Sequence, residues 1–199
     1  MATKLEIINN ALLKVGLPLA ATLDDADWNA TIVYDTVAKQ ALRSFAWGFA
    51  MRYANLAVES SAPNHGFTYK YGLPEATEDH PEYACLRVLD VRASSDLRAP
   101  KARFAVAGLA IYTNVSPCHV RYIGDFSSKP NRWPDDFADA VSCKIAAEIA
   151  NLSAQTVSMT PGLLQMYQLA LAQAQAIDST ETNERVPLDE SILASRSQG

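Results

Sequence analysis

Residues 133–152 read WPDDFADAVSCKIAAEIANL, and they carry the clearest helix signal in the chain. Pro134 is tolerated in a first helical turn, and the acidic residues that follow it suit the positive end of the helix dipole. Apolar residues then recur at helical spacing, at Phe137, Val141, Ile145, Ile149 and Leu152. The small alanine side chains between them allow close approach of neighbouring helices. The segment therefore predicts a helix that packs in a bundle.

Three further segments show helix signals. Thr3 and Glu6 have capping-box spacing before an apolar stripe that ends at Gly16. A second helix is expected after the acidic cluster 24–27 and should end near residues 47–48. A last helix is expected to start at Thr160 and Pro161, with an apolar stripe through residue 174. The chain thus predicts about four helices in an antiparallel bundle, built from residues 1–50 and 133–177.

The pattern between the two helix pairs is that of β-structure. Apolar and polar residues alternate in short runs near residues 67–71, 86–91, 104–106, 110–113 and 120–123, with a turn at Ala107 and Gly108. We therefore expect a small antiparallel β domain in residues 51–132, inserted into the bundle, which makes the fold class α+β. Trp47, Phe49 and Trp133 lie where the pattern changes, so we expect them to have a structural role at the domain junction.

The C-terminal segment, residues 178–199, is polar and acidic, with few apolar residues. Such a composition buries too little apolar surface to offset the ordering entropy, which predicts an extended tail. Four separated apolar residues could be anchors for a strap laid along a partner's groove: Val186, Leu188, Ile192 and Leu193. The alternative is a frayed terminus without function.

The composition is that of an ordinary soluble globular protein. The 199 residues are 49% hydrophobic and 20% charged, and no apolar run approaches the roughly 20 residues of a membrane span. We therefore expect no membrane partner. The three cysteines lack C-x-x-C spacing and are odd in number, which favours free thiols.

The net charge of −5 is unevenly distributed along the chain. Residues 1–84 carry −4 (6 basic, 10 acidic), residues 85–132 carry +5 (8 basic, 3 acidic) and residues 133–199 carry −6 (3 basic, 9 acidic). A basic middle between acidic ends is either solvated surface or a complementary contact within or between subunits.

Candidate catalytic, cofactor and metal sites find little support in the sequence. The three histidines are scattered and form no ligand pair with helical or C-x-x-C spacing. Cys118 and His119 are adjacent on a predicted strand, so they should point to opposite faces and not form a dyad. The acidic residues after Pro134 are explained by the helix start. We therefore expect no catalytic, cofactor-binding or metal-binding residue.

Several short motifs together resemble one protein family. They are Ile8 to Leu12 running into Val15 to Pro18, Leu23 to Asp25, Phe45 to Ala50, Tyr71 to Pro74, Leu86 to Leu89, Gly108 with Ile111 to Thr113, Val120 with Tyr122 to Asp125, and Trp133 to Phe137. In this order they resemble the tail tubular, or head-to-tail adaptor, proteins of short-tailed bacteriophages. Two departures are Ala46, where a proline often precedes the tryptophan, and the lengthened connection 75–84.

The resemblance implies a structural protein without enzymatic activity or cofactor. It implies a homo-oligomeric ring of twelve subunits between the portal protein and the tail nozzle protein, through which genomic DNA passes without sequence-specific binding. The expected location is the neck of the virion, after assembly in the host cytoplasm, and the four tail anchors would contact the portal or a neighbouring subunit. Two alternatives stay open: a cell-wall or glycan hydrolase associated with the phage tail, and a small DNA-packaging or regulatory protein.

Overall fold

A computed structural model describes residues 2–59, 66–152 and 156–181 of the chain. These residues form four α-helices and six β-strands. The helices are α1 (Lys4–Val15), α2 (Trp28–Ser44), α3 (Asp135–Asn151) and α4 (Thr160–Glu181). The strands are β1 (Met51–Leu56), β2 (Tyr69–Gly72), β3 (Cys85–Arg92), β4 (Phe104–Ala107), β5 (Ala110–Thr113) and β6 (Cys118–Gly124). The prediction of a mixed α and β fold is confirmed: the described residues form four helices and two small antiparallel sheets.

The first two helices begin at the predicted caps. Thr3 and Glu6 form the reciprocal capping box, and Gly16 ends α1 in the left-handed conformation at φ 77°. Asp27 caps α2 through the backbone N–H of Ala30. Helix α2 ends at Ser44, earlier than the predicted end near residues 47–48. The chain turns out of the helix there, since the indole N–H of Trp47 folds back to donate to the carbonyl of Ala41 at 2.9 Å.

Helix α3 packs against all three other helices. It starts at Asp135, so Pro134 is the capping residue and not part of the first turn as predicted. Side chains on most of its circumference are buried, and many of them are small: Phe137, Ala138, Ala140, Val141, Ser142, Cys143, Ile145, Ala146, Ala147, Ile149 and Ala150. The shared core of the four helices is therefore organised around α3.

Helix α4 lies along α3 and continues further than the sequence indicated. Leu163 and Ala174 are buried, and Leu164 and Leu171 pack beside them. The helix includes residues 178–181, which were predicted to start the extended tail. Asp178 is buried, and both of its carboxylate oxygens accept a hydrogen bond from the backbone N–H of Gly48, at 2.9 and 3.0 Å, which offsets part of the cost of burying the carboxylate. This contact corrects the predicted tail boundary.

Each of the two sheets has three antiparallel strands. The first sheet has the order β1-β6-β3 and the second the order β2-β5-β4. Strand β1 was not predicted, whereas the other five strands overlap the predicted runs. The sheets share a second core, which consists of Tyr71, Val91, Ile111, Cys118, Val120 and Tyr122. Ile123, at the end of β6, belongs instead to the core of the helices, so β6 contributes to both cores.

Within the described residues, no helix has the length and apolar character needed to cross a membrane.

The contact between Asp178 and Gly48 should contribute measurably to stability. Asp178→Ala removes both acceptors of the Gly48 N–H, and we expect the free energy of unfolding to fall by about 1–3 kcal/mol. Urea denaturation, monitored by circular dichroism, measures this change. Ser179→Ala is the matched control, since the Ser179 hydroxyl is exposed and donates only to a carbonyl of its own helix. Equal midpoints for the two variants would show that the contact does not stabilise the fold.

Candidate functional site

Trp47 is the centre of an aromatic cluster. Its side chain is 1% exposed, and its ring meets Phe45 and Phe137 edge to face, with centroids 5.1 and 4.8 Å away. Phe49 lies 5.0 Å from the Phe137 ring and 6.5 Å from the Phe126 ring. The cluster therefore joins the segment after α2, helix α3 and the segment after β6.

Trp133 belongs to the same cluster. It stacks on Tyr34 of α2 at 6.0 Å and meets Phe137 edge to face at 5.0 Å. Its indole N–H donates to the carbonyl of Phe126 at 2.9 Å, so its polar group is satisfied in the interior. The structure thus brings Trp47, Phe49 and Trp133 together around Phe137. Because the two tryptophans are buried, they are not available as a surface for a partner.

The four predicted tail anchors, Val186, Leu188, Ile192 and Leu193, lie outside the described residues. Their contact with the portal or a neighbouring subunit therefore stays a prediction.

The cysteines in the described residues are free thiols. Burial raises the pKa of Cys85 and of Cys118 to about 11, and it also raises the pKa of Cys143. These thiols are therefore protonated at neutral pH, whereas a nucleophilic cysteine reacts as the thiolate.

Cys118 and His119 point to opposite faces of β6, as expected for neighbours on a strand. Cys118 is buried in the second core, whereas the His119 side chain lines a surface cavity. His80 lies 3.2 Å from a carboxylate oxygen of Glu82, and His65 is outside the described residues. In the described ranges, no group of three or more His, Cys, Asp or Glu residues could hold a metal ion.

The most distinctive exposed surface lies on α4. Leu169 is 66% exposed, and four other exposed apolar residues lie on the same face of the helix. The five residues of this face are Met166, Leu169, Ala172, Ala176 and Ile177. We call these five residues the outer face of α4. Gln173 lies among them and is polar but uncharged. Residues 149–177 contain no charged side chain, and this absence of charge was visible in the sequence and could have identified the surface.

A second exposed apolar surface lies at the start of α2. Trp28 is 75% exposed, and Ile32, one turn later, is also exposed. Leu23, in the connection from α1, is exposed as well. We call these three residues the α2 patch. A tryptophan that protrudes from a helix start is unusual in a lone soluble subunit, whereas aromatic anchors of this kind are enriched in protein interfaces.

Comparison with known proteins assigns no family to this chain. No family model matches it, and no curated protein is significantly similar to it.

The aromatic cluster should be a main source of stability. Trp47→Ala removes the ring at its centre, and we expect a loss of about 3–5 kcal/mol in the free energy of unfolding. The control is Leu109→Ala, because a large apolar side chain is removed from an exposed site outside both this cluster and the exposed apolar surfaces, and it should change stability by less than about 0.5 kcal/mol. Thermal melts of both variants test this difference. If the melting temperature of the Trp47→Ala variant hardly differs from that of the original protein, the aromatic cluster is not a main source of stability.

Proposed function

We propose that this protein is a structural head-to-tail adaptor of a short-tailed bacteriophage. In this proposal twelve subunits form a ring between the portal and the tail nozzle and continue the channel for the genome. The four helices form an antiparallel bundle, residues 51–132 form the inserted β domain, and the residues after α4 contact the portal or a neighbouring subunit. The protein acts in the neck of the virion, after assembly in the host cytoplasm, and it catalyses no reaction.

The observation that carries the proposal is the pair of uncovered apolar surfaces. The outer face of α4 and the α2 patch expose large apolar side chains, and soluble monomers rarely expose contiguous apolar surface of this kind. Covering these surfaces removes apolar area from water, which is favourable at roughly 25 cal/mol per Å². We infer that a second copy of this chain covers them.

The two surfaces differ in shape, which bears on the symmetry of the contact. The α2 patch presents a protruding tryptophan, whereas the outer face of α4 has two small side chains, Ala172 and Ala176, beside the larger Leu169. A bulky ring fits over small residues that are flanked by a larger one. When one surface binds a different surface of the next copy, the contact is heterologous, and such contacts generate rings where the rotation closes.

The charge of the chain is compatible with DNA that passes through without being held. Residues 133–199 carry −6 and residues 1–84 carry −4, whereas residues 85–132 carry +5, so the net charge of the chain is −5. Tight phosphate binding through counterion release needs a dense basic surface. The proposal therefore includes no sequence-specific DNA contact.

The head-to-tail contact can be tested by complementation. Leu169→Asp places a charge on the outer face of α4, and Trp28→Asp places one in the α2 patch. We expect each variant alone to be monomeric, because one half of every contact is lost. An equimolar mixture should form heterodimers and no larger species, since each pair retains one intact contact. Analytical ultracentrifugation of the original protein, each variant and the mixture measures these states.

Leu109→Asp is the matched control for this test. Leu109 is strongly exposed at the turn between β4 and β5, far in sequence from both apolar surfaces, so this variant should associate like the original protein. If Trp28→Asp self-associates normally, the contact is not heterologous through these surfaces. Release of soluble fragments from purified cell wall by the original protein would instead favour the hydrolase alternative.

A further inference from the structure

The outer edge of β1 has no strand partner among the described residues. Strand β1 pairs with β6 along its whole length, and it is the outermost strand of the first sheet. Just after β1 the chain joins the second sheet, because Val58 forms a β-bridge with Tyr71. The open edge therefore extends over Met51–Leu56. Such an edge presents backbone N–H and C=O groups that pair readily with a further extended segment.

Strand β1 also lacks the usual protection of an edge strand. Exposed edges are commonly protected by proline or by outward-pointing lysine, and β1 contains neither residue. Its one charged residue, Arg52, turns toward the connection before β3, with its guanidinium 5.1 Å from the ring centre of Tyr83. The edge of β3, by contrast, is hydrogen-bonded to neighbouring loops at Cys85 and at Val91. The first sheet is thus open on its β1 side.

A groove of about 430 Å³ lies against the same strand. Ala54, Leu56 and Tyr122 of the first sheet line one side of it, and Pro74 and Tyr83 of the connection between β2 and β3 line the other. The groove therefore offers apolar and aromatic side chains next to the open backbone edge. Extended peptides bind at such places by adding a strand, and their alternate side chains enter the pockets.

Helix α4 brings the rest of the chain close to the start of β1. Asp178, in the last turns of α4, accepts the hydrogen bonds of the Gly48 N–H, and α4 also contacts the short 3₁₀ turn Gly48–Ala50, which leads directly into β1. The 18 residues after Glu181 lie outside the described residues. Fully extended, a segment of this length spans up to about 60 Å, whereas β1 is only about 20 Å long. The segment is therefore long enough to follow the whole edge, and its attachment beside β1 gives it a high effective concentration there.

We propose that residues 184–189 of the same chain add a parallel strand to the open edge of β1. The direction follows from the attachment, because the segment starts beside the first residues of β1 and continues along the strand. Val186 and Leu188 are two residues apart, so their side chains lie on one face of a strand and enter the groove. Pro187, between them, faces away, and an outermost strand tolerates the missing N–H when that position points to solvent. The contact is within one subunit and needs no ring.

Hydrogen exchange of the full chain, measured by mass spectrometry, tests this strand addition. In the original protein we expect the backbone amides of Met51–Leu56 to exchange slowly. The double substitution Val186→Asp and Leu188→Asp replaces both groove side chains by charged ones, and the β1 amides should then exchange about tenfold faster or more. The exchange of α3 should stay unchanged, which shows that the fold of this variant is intact.

The matched control is the double substitution Ile192→Asp and Leu193→Asp. It makes the same chemical change later in the same segment, and it should leave the exchange of β1 unchanged. The proposal would be overturned if β1 exchanges equally in the original protein and in the Val186→Asp, Leu188→Asp variant, or if the control accelerates the exchange as much. Acceleration in β4, the outermost strand of the second sheet, in place of β1 would also overturn it.

The dependence on protein concentration separates the subunit's own segment from that of another copy. An intramolecular contact should give the same protection of β1 over an about tenfold range of protein concentration. Protection that rises with concentration would show that another copy supplies the segment, and it would overturn the proposal. A failure of the protein to form a ring leaves all of these expectations unchanged.

Discussion

The burial of α3 is the constraint on which the rest of the helical structure depends. This helix packs against α1, α2 and α4, and its small side chains let them approach closely. Because α3 is buried on most sides, a substitution that enlarges one of its alanines would force a neighbouring helix outward and strain the packing. The outer faces of α2 and α4 then remain exposed, because α3 already occupies their inner faces.

The two halves of the fold are linked at a few specific places. Phe137 of α3 contacts Trp47, Phe49 and Trp133, so the entrance to the β strands and the return to the helices meet on the same helix. The hydrogen bonds from Gly48 to Asp178 attach the end of α4 to the segment just before β1. Through these contacts the helices and the first sheet are held together.

Features encoded by neighbouring residues were predictable from the sequence. The capping box at Thr3, the glycine end of α1 and the strand runs 86–91 and 110–113 follow from local chemistry, and the structure has all of them. Features that depend on distant residues were not predictable. The early end of α2 depends on where the Trp47 indole packs, and the extension of α4 depends on a hydrogen bond between residues 48 and 178.

The same distinction applies to the surfaces. The uncharged segment 149–177 already signals the outer face of α4, because charged residues normally occupy exposed helix positions. The alternation Asp90-x-Arg92 and His119-x-Arg121 shows only that each pair shares a face, and the register of β3 on β6 is needed to place the two pairs beside each other.

We propose that this chain assembles as a ring on a portal. Negative-stain electron microscopy of the purified protein with the portal protein of the same phage tests it most directly. We expect particles in which twelve copies extend the portal by one coaxial ring with an open channel. The proposal would be contradicted if portal particles look the same with and without this protein. The images are to be taken at protein concentrations well above those of a virion assembly reaction.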